Sequence, residues 1–313
     1  MIKYYIYLQM KWFVLILIVV VLAFTACHSE SLPPVQVQVQ VQGSVVIRGI
    51  DSLASDRYPE GVAVRVLSDR GELLGEAQTN RVGQYQVAIA DANVGDELLV
   101  RVEYVDAGTQ LVLKAAKRAK VNKDRHAYVP QMVLVDPGDA ELERYQDTWY
   151  DSSGDVTVED PQNRFSHIWA RAFDPEFDRP FFPGNYRDAD GNKIISNGFL
   201  FITAQDASGQ QVTALDEPVT VYFYIPNTHR FYLVDITPDN GLYEVPMYLY
   251  DEVRDTWVRK GTGVLVDFYH QPVPESDEQQ ITTDPYYGDL FVKFQADHFS
   301  TWNVDYPLPP CNR

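Results

Sequence analysis

The chain has 313 residues, a formal net charge of −18 and a pI near 4.6. So acidic a surface repels nucleic acid and anionic head groups, and neither is expected as a partner of the folded body. Two cysteines, twenty tyrosines and fifteen phenylalanines, with almost no helical periodicity, favour β-structure held by packed cores rather than by disulfides.

The chain opens with Lys3 and Lys11 as a basic start and Trp12 to Leu22 as an apolar core. Phe24-Thr25-Ala26 then leads into Cys27. This is the layout of a secretory leader with a small-residue cleavage site. Phe24-Thr25-Ala26-Cys27 resembles the lipobox of bacterial lipoproteins, with Phe24 where an aliphatic residue is usual. The resemblance implies removal of residues 1–26, a diacylglycerol thioether on Cys27 and acylation of the new amino terminus. One acyl chain holds a protein marginally and several hold it durably, at roughly 0.8 kcal/mol per buried methylene. His28 stands where Asp would retain such a protein at the inner membrane, so the class implies the outer membrane. The rival is an uncleaved membrane span, which needs about 20 apolar residues; Trp12 to Ala26 is shorter than that.

With Cys27 acylated, Cys311 has no internal disulfide partner. Residues 27–42 read as a tether. Pro33 and Pro34 bias it to extended backbone. Val35 to Gln42 repeats Val-Gln four times, which suits either a strand buried on one face or a low-complexity spacer running into the first strand.

Residues 43–136 read as short strands separated by turn chemistry: Ser44–Ile50, Val62–Leu67, Leu73–Gln78, Gln84–Ile89, Glu97–Val105, Thr109–Ala115 and Val129–Val135. Asp69-Arg70-Gly71 and Asp106-Ala107-Gly108 mark tight turns. Seven strands at this spacing indicate a β-sandwich. Gly43-Ser44-Val45-Val46, Pro59-Glu60-Gly61-Val62-Ala63-Val64, Gly71, and Thr79-Asn80-Arg81-Val82-Gly83-Gln84-Tyr85 together resemble the carboxypeptidase regulatory-like domain, a small transthyretin-like sandwich. Asn80 stands where that family usually has Asp. The resemblance implies scaffolding and contacts, with no catalytic residues to transfer.

Residues 137–162 are rich in Asp, Glu, Ser and Gly and read as an acidic linker, with a short helix expected over Glu141–Tyr150. Residues 163–313 again read as strands: Ile194–Gln205, Val219–Ile225, Phe231–Ile236, Tyr248–Tyr250, Trp257–Lys260, Val264–Tyr269, Leu290–Phe294 and Phe299–Val304. Turns are expected at Asp190-Gly191, Ser208-Gly209, Asn240-Gly241 and Asp289. Four pieces carry a second resemblance: Phe182-Pro183-Gly184-Asn185-Tyr186, Asp206-Ala207-Ser208-Gly209, the run from Met247 through Trp257-Val258-Arg259-Lys260-Gly261-Thr262-Gly263, and His298-Phe299-Ser300-Thr301-Trp302-Asn303. They resemble the extracellular β-domain that follows a regulatory-like domain in bacterial surface lipoproteins and in cartilage intermediate layer proteins. Relatives often carry Cys after Trp-Asn; here Val304 stands there, so no family disulfide carries over.

Each chemistry-bearing residue also has a plain structural reading. His298 and Ser300, two apart in an expected strand, share one face, but nothing marks an oriented acid or an oxyanion hole beside them. The histidines, His28, His126, His167, His229, His270 and His298, form no zinc motif. Asp188-Ala189-Asp190-Gly191-Asn192 opens like a calcium loop, but the twelfth position is Phe199 rather than Glu, leaving a polar hairpin turn as the plain reading. The dense aromatics Trp149, Tyr150, Phe165, Trp169, Phe173, Phe177, Phe181, Phe182 and Tyr186 suit either sandwich core or stacking on sugar rings.

The sequence therefore indicates an all-β protein: two β-sandwich domains in tandem behind a cleaved lipoprotein signal peptide. Its expected role is non-catalytic binding, adhesion or support at the outer membrane. The membrane is engaged through Cys27, a glycan or surface protein is the expected partner, and no cofactor, metal or catalytic residue is nominated. The alternatives are a polysaccharide-acting hydrolase, which would need two close carboxylates, and a calcium-stabilised glycan-binding module.

Overall fold

The computed structural model describes residues 38–49, 56–138, 140–184, 186–226, 243–274, 277, 281 and 288–307. The leader, Cys27, the tether up to residue 37, His28, His229, Phe231–Ile236, the Asn240-Gly241 turn and Cys311 lie outside the described residues. The fold is all-β, built from several sheets.

The first strand, β1 (Val39–Gly49), is the second half of the Val-Gln repeat continued into Gly43-Ser44-Val45. Val39 and Val41 are buried while Gln40 and Gln42 are partly exposed, the two-residue alternation of a pleated strand. It is followed by β2 (Ala63–Leu67), β3 (Leu73–Gln78), β4 (Gln84–Ile89), β5 (Glu97–Val105), β6 (Val112–Lys120), β7 (His126–Tyr128) and β8 (Met132–Asp136). One sheet has β1 at its centre, antiparallel to β4 and parallel to both β7 and β8. The other runs β3-β2-β5-β6, antiparallel throughout. Their inner faces meet in a core of Val, Ile, Leu and Tyr85. Each such aliphatic side chain, fully buried, contributes roughly 1.5–3 kcal/mol.

Two positions explain the local sequence. Gly43 lies opposite Tyr85 in the β1–β4 register, and a Cβ there would meet the Tyr85 hydroxyl, so glycine lets the ring cross the strand. Gly83 has φ +68° and a Cβ would fall 2.3 Å from the Val45 carbonyl oxygen, so only glycine fits the turn into β4. Asn80 closes that turn: its Oδ1 accepts from the Val82 and Gln84 amides, both at 3.0 Å. An Asp carboxylate would accept the same two bonds, so the departure at Asn80 leaves the turn intact.

The described strands from Glu143 onward form one eleven-stranded sheet. In chain order its strands are β9 (Glu143–Tyr145), β10 (Thr148–Tyr150), β11 (Val156–Glu159), β12 (Phe165–Phe173), β13 (Ile194–Asp206), β14 (Gln211–Val212), β15 (Ala214–Ile225), β16 (Glu244–Asp251), β17 (Thr256–Asp267), β18 (Leu290–His298) and β19 (Thr301–Pro307). The spatial order is β12-β13-β19-β16-β17-β18-β15-β11-β10-β9, with β14 on β13. The sheet curls over a core to which strands from both of its ends contribute, including Ile168, Leu200, Phe223, Val292 and Trp302.

The stretch expected as a linker with a helix over Glu141–Tyr150 instead carries β9, β10 and β11. The hairpin between β9 and β10 turns at Gln146, with φ 59°. Trp149 decides the outcome: it is buried opposite Val158 of β11, and Arg144 lies 5.4 Å above its ring. Tertiary packing overrides the local helical preference of Glu141-Leu142-Glu143-Arg144. Apart from Phe231–Ile236, which lies outside the described residues, the other strands expected from the sequence recur with shifted ends. Trp257–Lys260 and Val264–Tyr269 merge into β17, and the strand expected from Phe299 begins at Thr301.

β13 is buried on both faces. Leu200 and Ile202 point into the main core, while Phe199 faces a second, aromatic core with Phe173, Phe182, Tyr248, Tyr250 and Trp257. That outer face is covered by the segment between β12 and β13, which includes a short 3-10 turn, Arg179–Phe181. Phe182 stacks on Tyr186 at 4.0 Å and tilts against Trp257 at 4.8 Å.

Candidate functional site

The aromatic run nominated for sugar stacking is mostly interior. Trp149, Phe165, Trp169, Phe173 and Phe182 are buried, and Phe177 is exposed. Two adjacent surface aromatics lie in the turn after β17, where Tyr269 is 78% and Phe268 61% exposed. His270 stacks on Tyr222 at 3.9 Å, and Lys293 sits 5.4 Å over the same Tyr222 ring. Phe268-Tyr269-His270 spans an expected strand end, and only the fold reveals it as a turn.

The Asp188 loop is a capped hairpin turn. Asp188 Oδ1 accepts from the Asp190 and Asn192 amides at 3.0 and 2.8 Å, and Oδ2 from Asn192 Nδ2 at 3.0 Å. Its oxygens are occupied by the turn itself. Among the described residues, no group of three or more His, Cys, Asp or Glu side chains is placed to hold a metal ion.

His298 and Ser300 do share a site, but not as expected. His298 ends β18, and Phe299 and Ser300 form the turn into β19. The turn is fixed from three sides. Trp302 Nε1 donates to the His298 carbonyl at 2.9 Å, the Phe299 amide donates to Thr213 at 2.8 Å, and the Ile202 amide donates to the Ser300 carbonyl at 3.1 Å. Both side chains line a cleft of about 510 Å³ between the N-terminal sandwich and the large sheet. Its N-terminal wall comes from β6 and β8; its other wall comes from β13, the β16–β17 turn and the β18–β19 turn.

Buried polar atoms in this cleft lack partners. His298 Nδ1 and Ser300 Oγ make no hydrogen bond of good geometry, although the Glu252 carboxyl lies beside the serine. Ser300 is 7% exposed. Burial lowers the His298 pKa, against the pull of Asp297. Burial likewise raises Glu252, against Lys114, whose Nζ lies 3.8 Å from Glu252 Oε2.

At one end of the cleft the β16–β17 turn is clasped by cations of the N-terminal sandwich. Arg101 donates to the Val253 carbonyl, and Arg118 Nη2 to that of Arg254 at 2.8 Å. Lys117 Nζ donates to the Gly184 carbonyl at 2.8 Å. Beside it, Asp255 accepts the Tyr250 hydroxyl at 2.6 Å. Burial pushes Asp255 up to about 6, opposed by the Tyr250 hydrogen bond and by Lys117 and Arg118. Burial lowers Lys117 in turn, opposed by Asp255. The two sheet systems are also joined by Gln205 Nε2 donating to Thr109 at 2.7 Å and by the Val112 amide donating to Gln211 Oε1 at 2.9 Å.

A second polar cluster surrounds Asp305, whose Oδ1 is buried without a hydrogen-bond partner. Ser196 Oγ donates to Asn303 Oδ1 and Asn303 Nδ2 to Asp305 Oδ2, each at 2.6 Å. Burial holds the Asp305 carboxyl well above its ordinary range.

No protein-family model matches the chain, and no curated protein matches it. Among solved structures, the shaft pilin SpaA from Lactobacillus rhamnosus GG is 12% identical, with 72% of this chain and 98% of that one covered and a TM-score of 0.20. A 9R-lipoxygenase from Cyanothece PCC8801 is 8% identical, with 80% of this chain and 45% of that one covered and a TM-score of 0.21. Neither TM-score reaches that of a shared fold.

Proposed function

We propose that this chain is a lipoprotein held at the outer membrane by acyl chains on Cys27, with a β-sheet body that binds a glycan or surface protein without catalysis. The body's N-terminal sandwich is read as a carboxypeptidase regulatory-like module serving as scaffold. The observation that carries the binding role is the cleft between the two sheet systems, where His298 Nδ1 is buried without a hydrogen-bond partner. Leaving such a group unpaired costs about 1–3 kcal/mol, a cost that a bound ligand removes. A concave site with few convergent polar groups on rigid strands is the usual form of a ligand pocket.

The test is binding of the detergent-solubilised full chain to glycan and surface-protein arrays, with product analysis of every glycan bound. Retention without turnover supports the reading. Release of shortened sugar supports the hydrolase alternative, and clean silence on both arrays removes the binding role and leaves an architectural one.

A further inference from the structure

The geometry points to an extended peptide segment of a partner protein as the occupant of the inter-sheet cleft, added as a strand along the free edge of β6. This rests on the binding role proposed above and names the partner class. The first observation is topological. β6 ends the sheet β3-β2-β5-β6, so β5 is its only ladder partner among the described residues. Residues of an antiparallel strand alternate between bonding the neighbour and turning both backbone groups away from it. The Val112 amide donates to Gln211 Oε1 at 2.9 Å, away from β5, while the Leu111 carbonyl accepts the Asp106 amide at 2.9 Å on the β5 side. Val112, Lys114 and Ala116 therefore turn their backbone groups outward. Among the described residues, nothing bonds the Lys114 and Ala116 amides or the Val112 and Lys114 carbonyls.

The second observation is that the cleft follows this edge. Seven consecutive residues, Leu111 to Lys117, line it, whereas the face of a strand would present only every second one. Past Ala116 the edge is closed by Lys117 and Arg118, which donate to the Gly184 and Arg254 carbonyls, each at 2.8 Å. The open stretch, Val112 to Ala116, matches a partner strand of about five residues. It lies within a cleft, so β6 of a second copy, flanked by its own sheets, cannot reach it. A segment that protrudes from its own protein can.

The third observation is the chemistry of the space. The charges along it pair with one another, Lys114 with Glu252 at 3.8 Å and Arg254 with Asp251 at 3.7 Å, which suits an uncharged backbone rather than an ion. A strand seated on β6 has a second edge, and His298 Nδ1 is buried and unpaired on the facing wall. Val133, Phe201 and Leu249 line the same space with Thr203 and Gln131, so apolar and polar side chains both find contacts. Donors and acceptors repeated at strand spacing are matched by another extended backbone, which is how a peptide adds to a sheet edge. A sugar ring carries no such row.

The experiment pans a phage-displayed library of random heptapeptides against the detergent-solubilised full chain, then follows each selected peptide by calorimetry and amide hydrogen exchange. Binding peptides are expected, and each should slow exchange at the Lys114 and Ala116 amides while leaving the β5-facing amides of Leu113 and Ala115 unchanged. Lys114→Pro removes one edge donor and no ladder bond, so it should melt near the parent yet bind at least about tenfold more weakly. Lys114→Ala keeps that amide and should bind more tightly than Lys114→Pro. Equal loss in the two variants overturns the backbone assignment. So does a bound peptide that leaves exchange at Lys114 and Ala116 unchanged, a readout on the parent chain that needs no variant to fold. A library that yields no binder overturns it too. The array experiment above is independent: a glycan retained there while no peptide binds keeps the binding role and sinks only this assignment.

Discussion

Tyr250 donates its hydroxyl to Asp255 at 2.6 Å, at the point where the β16–β17 turn meets the N-terminal sandwich. Asp255 is only 2% exposed, and Lys117 reaches toward it from β6. Its carboxyl is therefore a proton store whose state follows pH. Its folded pKa, about 6, lies above the ordinary 3.8. Between those values the native state holds more protons than the unfolded state, so stability falls as pH rises. The contribution is fully present below about pH 4 and is lost by about pH 6, with an upper bound of about 3 kcal/mol. Asp255→Asn should flatten this part of the curve, read as melting temperature against pH for parent and variant. An identical slope in both would show that Asp255 does not titrate in this window.

Trp257 is fully buried and packs against Phe182 and Tyr250, with its indole N–H 3.3 Å from the Pro183 carbonyl. It ties β17 to the covering segment of the aromatic core. Trp257→Ala should cost about 3–5 kcal/mol in denaturant unfolding. A cost below about 1 kcal/mol would mean that the aromatic face contributes little to folding.

The turn before β4 gives a sharper contrast. Asn80→Asp keeps an acceptor for the Val82 and Gln84 amides, and should change stability by less than about 0.5 kcal/mol. Asn80→Ala leaves both amides without that acceptor and should cost about 1 kcal/mol. Gly83→Ala should cost more than either, because a Cβ meets the Val45 carbonyl oxygen and φ is positive. Chemical denaturation of the three variants gives the order, and a reversed order would contradict this account of the turn.

Strands were legible wherever a two-residue alternation carried its own burial pattern. Tyr85, Val87 and Ile89 announce β4, whereas Val39 and Val41, read as the end of the tether, belong to β1. The Thr79-to-Tyr85 turn was legible because its chemistry is local. Glu141–Tyr150 was not, since its conformation is set by the pairing of Trp149 with Val158 across β10 and β11. The cleft was only half visible. His298 and Ser300 stand out as a pair in the sequence, but their neighbours Lys114, Glu252 and Lys260 come from distant segments and meet only when β6 packs against the β16–β17 turn. The aromatic run from Trp149 to Tyr186 stayed open between core and stacking platform, because composition alone cannot separate the two; most of it is core.

The proposed lipid tether carries its own consequence. If acyl chains on Cys27 hold the protein, Cys27→Ser should move the chain from the membrane fraction to the soluble fraction or leave it as uncleaved precursor. Tight membrane retention of a processed Cys27→Ser chain would point to another anchor.

The most direct measurement is mass spectrometry of the N-terminal peptide from protein purified out of its native envelope. The account predicts a chain that starts at Cys27 and carries the mass of a diacylglycerol and an N-acyl group. An unmodified Cys27 with residues 1–26 still attached would contradict it.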